Sequence, residues 1–205
     1  MEKKIAIGAA AVAALFIGGT IVVANLNAGD PDLAACGASA VAGSGIGGPF
    51  ELVNSKGETV TDVDVITQPS LIYFGYTFCP DVCPLDTARN AQAVQILEEQ
   101  GIEVTPVFIS IDPKRDTPEV VGEYAFNFHD RMVGLTGTPE QVDAASKAYR
   151  TYYKAHDDGT EFYLVDHSVQ SYFNIPGMGV VDFFGRAESP ELVAERMACV
   201  IDKTS

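Results

Sequence analysis

The chain has 205 residues, 47% of them hydrophobic and 20% charged, which suits one domain with a sizeable core plus appendages. The formal net charge of −15 argues against nucleic acid as a partner, because binding to phosphates requires an excess of lysine and arginine. The same charge permits attraction towards a metal cation or a basic protein surface.

The N-terminus predicts a retained membrane anchor. Residues 5–24 carry no charge and form a run of 20 residues, which is long enough to span a bilayer as a helix. Lys3 and Lys4 precede the run, so residues 1–4 should stay in the cytoplasm. Everything after Ala24 is then expected on the periplasmic side of the cell inner membrane.

Two alternatives to this anchor stay open. The run could belong to a cleaved signal peptide, although the apolar part of a signal peptide is usually shorter. The sequence Leu33-Ala34-Ala35-Cys36 resembles a lipobox, which would place a lipid on Cys36. A lipobox normally follows the apolar run directly, whereas polar residues intervene here.

Residues 25–48 are rich in Gly, Ala, Ser and Asn and are predicted to be a flexible linker with an end-to-end distance of roughly 27 Å. The globular pattern begins at Pro49, so we assign residues 49–205 to one domain. Its first elements are a strand at 50–53 with a return strand at 58–60, a buried strand at 71–76, a helix at 85–100 and a second buried strand at 104–111.

Three further helices are predicted from Thr117, Thr138 and Ser189, each a hydroxyl N-cap followed by Pro and Glu. Later strands are predicted at 162–165, 170–174 and 179–184, with a break at Asp166-His167. A buried strand, a helix and another buried strand favour a parallel pair, and the late strands favour an antiparallel pair. The expected fold is therefore α/β, with a mixed central sheet flanked by helices.

The segment Cys79-Pro80-Asp81-Val82-Cys83-Pro84 lies directly after one buried strand and before a helix, where the helix dipole favours thiolates. Thioredoxin-type redox pairs have two residues between their cysteines, and this pair has three. Side chains one helical turn apart lie about 5–6 Å from each other at Cβ, whereas a disulfide needs about 3.5–4.5 Å. The spacing favours a bound metal, although a loop could still allow a disulfide.

Three histidines are candidates for a third ligand. His129 lies near the end of the helix predicted at 118–130 and His156 lies in a polar turn, so neither needs a metal to explain it. His167 lies at a strand edge between apolar segments and can face the cysteine loop. Two thiolates and one imidazole fit copper in either valence, and zinc accepts the same ligands.

Several segments resemble motifs of the Sco/SenC copper chaperones, over a stretch from about Pro49 to the last helix. The matching segments are 73–84, 108–113, 115–118, 135–138 and 165–168 with Tyr172. The resemblance implies a thioredoxin-like fold and copper held by Cys79, Cys83 and His167. It also implies a role in assembling the copper centre of cytochrome c oxidase subunit II, and a membrane anchor fits it.

Two other functions remain open. A thiol–disulfide oxidoreductase would reduce the copper-ligand cysteines of the oxidase subunit and would not need His167. A peroxidase on the same fold needs a single activated cysteine and ranks last. We expect a metallochaperone rather than an enzyme, with other copper chaperones or thiol reductants as further partners.

Cys36 and Cys199 remain after the metal ligands are assigned. In an oxidising compartment two leftover cysteines are expected to form a disulfide with each other. Such a bond would tie the linker to the last helix and leave only residues 25–35 as a free spacer. The alternative is a buried Cys199 with Cys36 free or lipidated.

Overall fold

The computed structural model describes residues 31–39 and 41–205. The anchor predicted at 5–24 therefore lies outside the described residues. Within the described part of the chain, no helix is both long enough and apolar enough to cross a membrane.

The described residues form nine strands and six helices. The strands are β1 Glu51–Asn54, β2 Thr59–Thr61, β3 Ser70–Gly75, β4 Thr105–Ser110, β5 Val133–Thr136, β6 Tyr153–Ala155, β7 Val165–His167, β8 Ser171–Ile175 and β9 Gly179–Phe184. The helices are α1 Pro31–Ala35, α2 Asp62–Val65, α3 Val82–Glu99, α4 Pro118–Phe128, α5 Pro139–Ala148 and α6 Pro190–Thr204.

Seven strands form one mixed sheet in the order β2-β1-β5-β4-β3-β8-β9. β3, β4 and β5 run parallel, while β8 pairs antiparallel with β3 and β9 pairs antiparallel with β8. α3 makes the crossover between β3 and β4, which a parallel pair requires. The predicted mixed sheet with flanking helices is confirmed.

Helices cover both faces of the sheet, which explains why every residue of β3 is buried. On one face, Leu71 and Phe173 belong to a core cluster with side chains of α3 and α6. On the other face, Ile72 and Ile109 belong to a cluster that includes Val121 of α4 and side chains of α5. The central strand β3 therefore ends inside a rigid, two-sided core.

Three strands differ from the sequence-based prediction. β5 was not predicted, because it is only four residues long and contains Gly134. A Cβ at Gly134 would lie 2.4 Å from the carbonyl oxygen of Val121, so the glycine lets α4 pack directly on this strand. β7 spans only Val165–His167, so the strand predicted at 162–165 is wrong for residues 162–164. Asp166-His167, where a break was predicted, lie in the strand because they pair with the unpredicted and largely exposed β6.

The described part of the segment predicted as a linker packs against the domain. Leu33 of α1 is buried in the cluster that includes side chains of α6. Cys36 and Cys199 form a disulfide with their Cα atoms 5.7 Å apart. The Ser39 amide donates a hydrogen bond to the buried Asp182 carboxylate at 2.8 Å. Burial of Leu33 and the disulfide thus bring this stretch onto the last helix.

Candidate metal centre

The cysteine loop follows β3 and ends in the first turn of α3. The helix begins at Val82, three residues earlier than predicted, because Pro84 is tolerated in a first turn. Cys83 therefore lies inside the helix start. The backbone amide of Cys83, one of the N–H groups without an intrahelical acceptor, donates to Cys79 Sγ at 3.4 Å. The helix N-terminus thus stabilises negative charge on the Cys79 sulfur.

His167 ends β7 and faces the same loop. Its Nε2 lies 3.3 Å from Cys83 Sγ, across a sequence separation of 84 residues. Its Nδ1 lies 2.7 Å from the carbonyl oxygen of Ser168, which can only accept a hydrogen bond, so the ring proton belongs on Nδ1. This arrangement leaves the Nε2 lone pair directed at the thiols, as ligation by an imidazole requires.

Two tyrosines hold the histidine ring in place. The rings of Tyr73 and Tyr76 meet it edge-on, with centroid distances of 6.2 and 5.8 Å. The hydroxyl oxygen of Tyr76 also accepts a hydrogen bond from the Val165 amide at 3.3 Å. Tyr73 lies in the second half of β3 and Tyr76 follows its last residue, so the strand that leads into the cysteine loop also orients His167.

Cys79, Cys83 and His167 bring three ligand atoms within 4.8 Å of one another, and they are the one such group of His, Cys, Asp or Glu side chains in the described residues. Metal bonds to sulfur and nitrogen of about 2.0–2.3 Å place the ligand atoms of a trigonal site about 3.5–4 Å apart. Small side-chain shifts suffice to reach that geometry. Cys83 is fully buried and the other two ligands are partly exposed, so a partner can reach the site from one side.

The two thiols differ in acidity. Hydrogen bonding from the Cys83 thiol, assisted by backbone amides at the helix start, lowers the pKa of Cys79 to about 4. The same interaction, together with burial, raises the pKa of Cys83. Without metal the pair therefore holds one proton near neutral pH, with the thiolate on the more exposed Cys79. A thiolate of this kind binds soft metals and attacks disulfides.

We expect alkylation of Cys79 by iodoacetamide, in the reduced and metal-free protein, to proceed at a rate that hardly changes between pH 6 and pH 8. The thiolate is already fully formed in this range because the pKa of Cys79 is lowered to about 4. Cys83→Ala is the matched control: it removes the side-chain donor whose hydrogen bond contributes most to lowering this pKa, so the rate in this variant should depend more steeply on pH. A wild-type rate that rises about tenfold per pH unit, as for an ordinary thiol with a pKa of about 8.5, would contradict the assignment.

The other two histidines lie outside the metal group. His129 is the C-cap residue that follows α4, and its Nε2 lies 3.3 Å from a carboxylate oxygen of Glu98. His156 is exposed and its Nε2 lies 2.7 Å from a carboxylate oxygen of Asp166. Each contact accounts for the histidine without a metal, in agreement with the sequence-based interpretation.

A buried carboxylate below the cysteine loop was missed as a functional residue. Asp116 is fully buried and accepts hydrogen bonds from the Thr77 amide at 3.0 Å, the Thr77 hydroxyl at 2.5 Å and the Ser110 hydroxyl at 2.5 Å. Burial raises the pKa of Asp116. It connects the start of the cysteine loop to the end of β4. The only signal in the sequence was its place in the motif Arg115-Asp116-Thr117-Pro118.

Comparison with known proteins identifies close relatives. A family model described as SCO1/SenC matches residues 39–202. The chain is 49% identical to Protein SenC of Rhodobacter capsulatus, over 98% of this chain and 91% of that protein. It is 42% identical to the human mitochondrial SCO1 homolog, and the aligned residues cover 75% of this chain and 52% of the human protein.

A solved structure of a relative shows the same fold. The crystal structure of Arabidopsis thaliana ScoI with copper bound superposes with a TM-score of 0.71 at 40% sequence identity. The alignment covers 77% of this chain and 99% of that chain.

Proposed function

The chain belongs to the SCO1/SenC family, and on that basis we propose that it is a copper-binding protein that acts in cytochrome c oxidase assembly. Copper is its cargo and is held by Cys79, Cys83 and His167. The observation that carries the proposal is the convergence of these three ligand atoms within 4.8 Å of one another.

The chemistry of the ligands suits copper in both valences. Soft thiolates favour Cu(I), and the imidazole adds a donor that Cu(II) prefers. Zinc accepts the same three ligands with a water as the fourth. The copper-bound Arabidopsis relative, 40% identical, is what favours copper over zinc. Binding requires Cys83 to lose its proton, so uptake of the metal releases a proton at neutral pH.

The finer proposal is that this protein delivers copper to subunit II of the oxidase. Cys79 and His167 are partly exposed, so an incoming thiolate can reach the metal and displace these ligands one at a time. An anchor at 5–24, with residues 49–205 on the periplasmic side of the inner membrane, would keep the site near a membrane-bound oxidase. The uncharged run in the sequence supports the anchor.

Reduction of a disulfide on the oxidase subunit is the second candidate function. The observation that favours it is the lowered pKa of Cys79 beside the protonated Cys83. The Cys79 thiolate would attack one sulfur of the partner disulfide and release the other as a thiol. Cys83, after losing its proton, would then attack the mixed disulfide. The partner would leave with two thiols, and Cys79 and Cys83 would be left oxidised to a disulfide.

His167→Ala tests which function dominates. We expect Cu(II) binding to weaken by about 100-fold or more, because even changes behind a ligand cost 10–100-fold in metal affinity. Thiol reactivity should remain largely intact. Affinity is measured by competition with a chelator, and oxidase activity is measured in copper-limited cells that carry the variant as their only copy.

His156→Ala is the matched control, because that histidine is exposed and lies outside the metal group. Loss of oxidase activity with His167→Ala, together with loss of copper from subunit II, supports copper delivery. Full copper affinity in this variant would remove His167 from the site. Normal oxidase activity despite lost Cu(II) affinity would favour thiol reduction.

A further inference from the structure

Arg115 lies between the two segments that supply the metal ligands. Its guanidinium carbon is 3.6 Å from the centroid of the Tyr163 ring and 5.0 Å from the centroid of the Phe78 ring. Tyr163 is four residues before His167, and Phe78 directly precedes Cys79. One planar side chain thus contacts both the cysteine loop and residues 161–167, which are called the histidine segment because they end in His167.

Hydrogen bonds from Arg115 hold the main chain of the histidine segment. Nη1 donates to the carbonyl oxygens of Tyr163 at 2.9 Å and Glu161 at 3.1 Å. Nε donates to the buried Asp112 carboxylate at 2.5 Å, and the Tyr163 hydroxyl donates to the same carboxylate at 2.6 Å. The arginine side chain is only 10% exposed. A buried, charge-assisted fork of this kind fixes position as well as contributing energy.

The histidine segment depends on such side-chain contacts because its strand lies outside the main sheet. β7 pairs with β6 in a separate two-stranded sheet, whereas the cysteine loop extends from β3 in the seven-stranded sheet. Phe162 and Leu164, on the approach to β7, are 88% and 56% exposed. The hydrogen bond from the Val165 amide to Tyr76 and the contacts of the Tyr73 and Tyr76 rings with His167 also connect the segments. Arg115 adds two main-chain contacts and contacts with three rings, those of Tyr163, Phe78 and Tyr76, the last with its centroid 5.6 Å from the guanidinium carbon.

We propose that Arg115 is a positioning residue for His167 and sets how strongly the site binds Cu(II) relative to Cu(I). The inference rests on the proposed copper site. Cys83 is held inside the start of α3 and its amide donates to Cys79 Sγ, so Arg115 reaches the cysteine pair only through rings before Cys79 and makes its main-chain hydrogen bonds to the histidine side. Two thiolates suffice for Cu(I), whereas Cu(II) gains from the imidazole. Displacement of His167 therefore weakens the binding of Cu(II) more than the binding of Cu(I).

Arg115→Lys in the full chain tests the proposal, because lysine keeps the charge but lacks the planar fork. We expect Cu(II) affinity to fall about tenfold or more, with Cu(I) affinity changed less than about threefold, as for loss of support behind one ligand. The thiolate-to-Cu(II) absorption bands should move towards those of His167→Ala. Unchanged Cu(II) affinity and bands would overturn the proposal.

Arg131→Lys is the matched control. Arg131 also pairs with a carboxylate, that of Glu98, and also contacts a main-chain carbonyl, that of Val104. Glu98 lies near the far end of α3 from Cys83, about 20 Å along the helix axis. This variant should bind both valences as the wild type does. A valence-selective loss in Arg131→Lys would mean that the effect is not specific to Arg115.

A metal-free measurement separates this inference from the copper proposal. In the reduced apo protein, Arg115→Lys should accelerate hydrogen exchange of the Val165 and His167 amides and leave the Cys83 amide unchanged. If the wild type failed to bind copper, the proposed function would fail while this readout still tested the positioning role. Equal exchange at Val165 and His167 in wild type and variant would overturn it.

Phe78→Leu covers the case in which Arg115→Lys fails to fold. Phe78 is 51% exposed, so the domain should tolerate the change, which removes one of the two rings on the cysteine side of the guanidinium and leaves that of Tyr76. The same preferential loss of Cu(II) affinity, smaller than for Arg115→Lys, supports the proposal. An equal loss of both valences would assign Arg115 a merely structural role and overturn it.

Discussion

Replacement of Cys79 or Cys83 by alanine should abolish copper binding by this protein. Each cysteine supplies one of only two sulfur ligands, and removal of either leaves one sulfur and one imidazole, too few to hold copper against a chelator. The expected copper content of either variant, measured after copper exposure in reducing buffer and gel filtration, is close to zero per chain.

The matched control is the double variant Cys36→Ala/Cys199→Ala, which removes the same residue type from outside the metal group. Measured at low temperature, where it stays folded, it should keep one copper per chain. Retention of one copper per chain by Cys79→Ala or Cys83→Ala would exclude the site described here.

Loss of the Cys36–Cys199 disulfide should lower the free energy of unfolding more than any other substitution described above. The bond closes a loop across a sequence separation of 163 residues. The chain-entropy model then gives a stabilisation of about 5 kcal/mol as an upper figure. For a domain of this size the corresponding fall in Tm is about 10–20 °C. Urea unfolding of the double variant against the wild type measures the difference in free energy of unfolding.

The two single variants provide the control for this measurement. Once Cys199→Ala has broken the bond, the further change Cys36→Ala should alter the free energy of unfolding by less than about 1 kcal/mol, because the constraint is already gone. Reduction of the wild type should give the same stability as the double variant. A double variant within about 1 kcal/mol of the oxidised wild type would contradict a major role for this bond.

The features that the sequence predicted correctly depend on local patterns. The run at 71–76 is apolar throughout and the run at 104–111 is apolar except for Thr105 and Ser110, as expected for strands covered on both faces. The hydroxyl–Pro–Glu motifs mark helix starts at the residues where the structure has them. The position of Cys79 and Cys83 between a strand and a helix follows from the order of these elements. Residues close in sequence are held together by chain connectivity, so such features need no knowledge of distant contacts.

The elements that the sequence did not predict carry no pattern of their own and depend on their partners. β5 and β6 are too short for a periodic pattern: β5 exists through pairing with β1 and β4 and the close approach of α4, and β6 exists through pairing with β7, the next strand along the chain. The Cys36–Cys199 disulfide was predicted from the sequence and is confirmed. The described residues of the predicted linker nevertheless looked flexible by composition, whereas Leu33 packs against a helix more than 150 residues later. Composition alone carries no information about such partners.

By itself the sequence determined the mixed α/β fold, the cysteine pair at a helix start and His167 as the best candidate for a third ligand. Only the tertiary structure decided that His167 Nε2 lies 3.3 Å from Cys83 Sγ, across a sequence separation of 84 residues. It also decided that Arg115 lies between the rings of Phe78 and Tyr163. The physical reason is that contacts between distant segments depend on how sheets and helices pack, and many chain patterns are compatible with each packing.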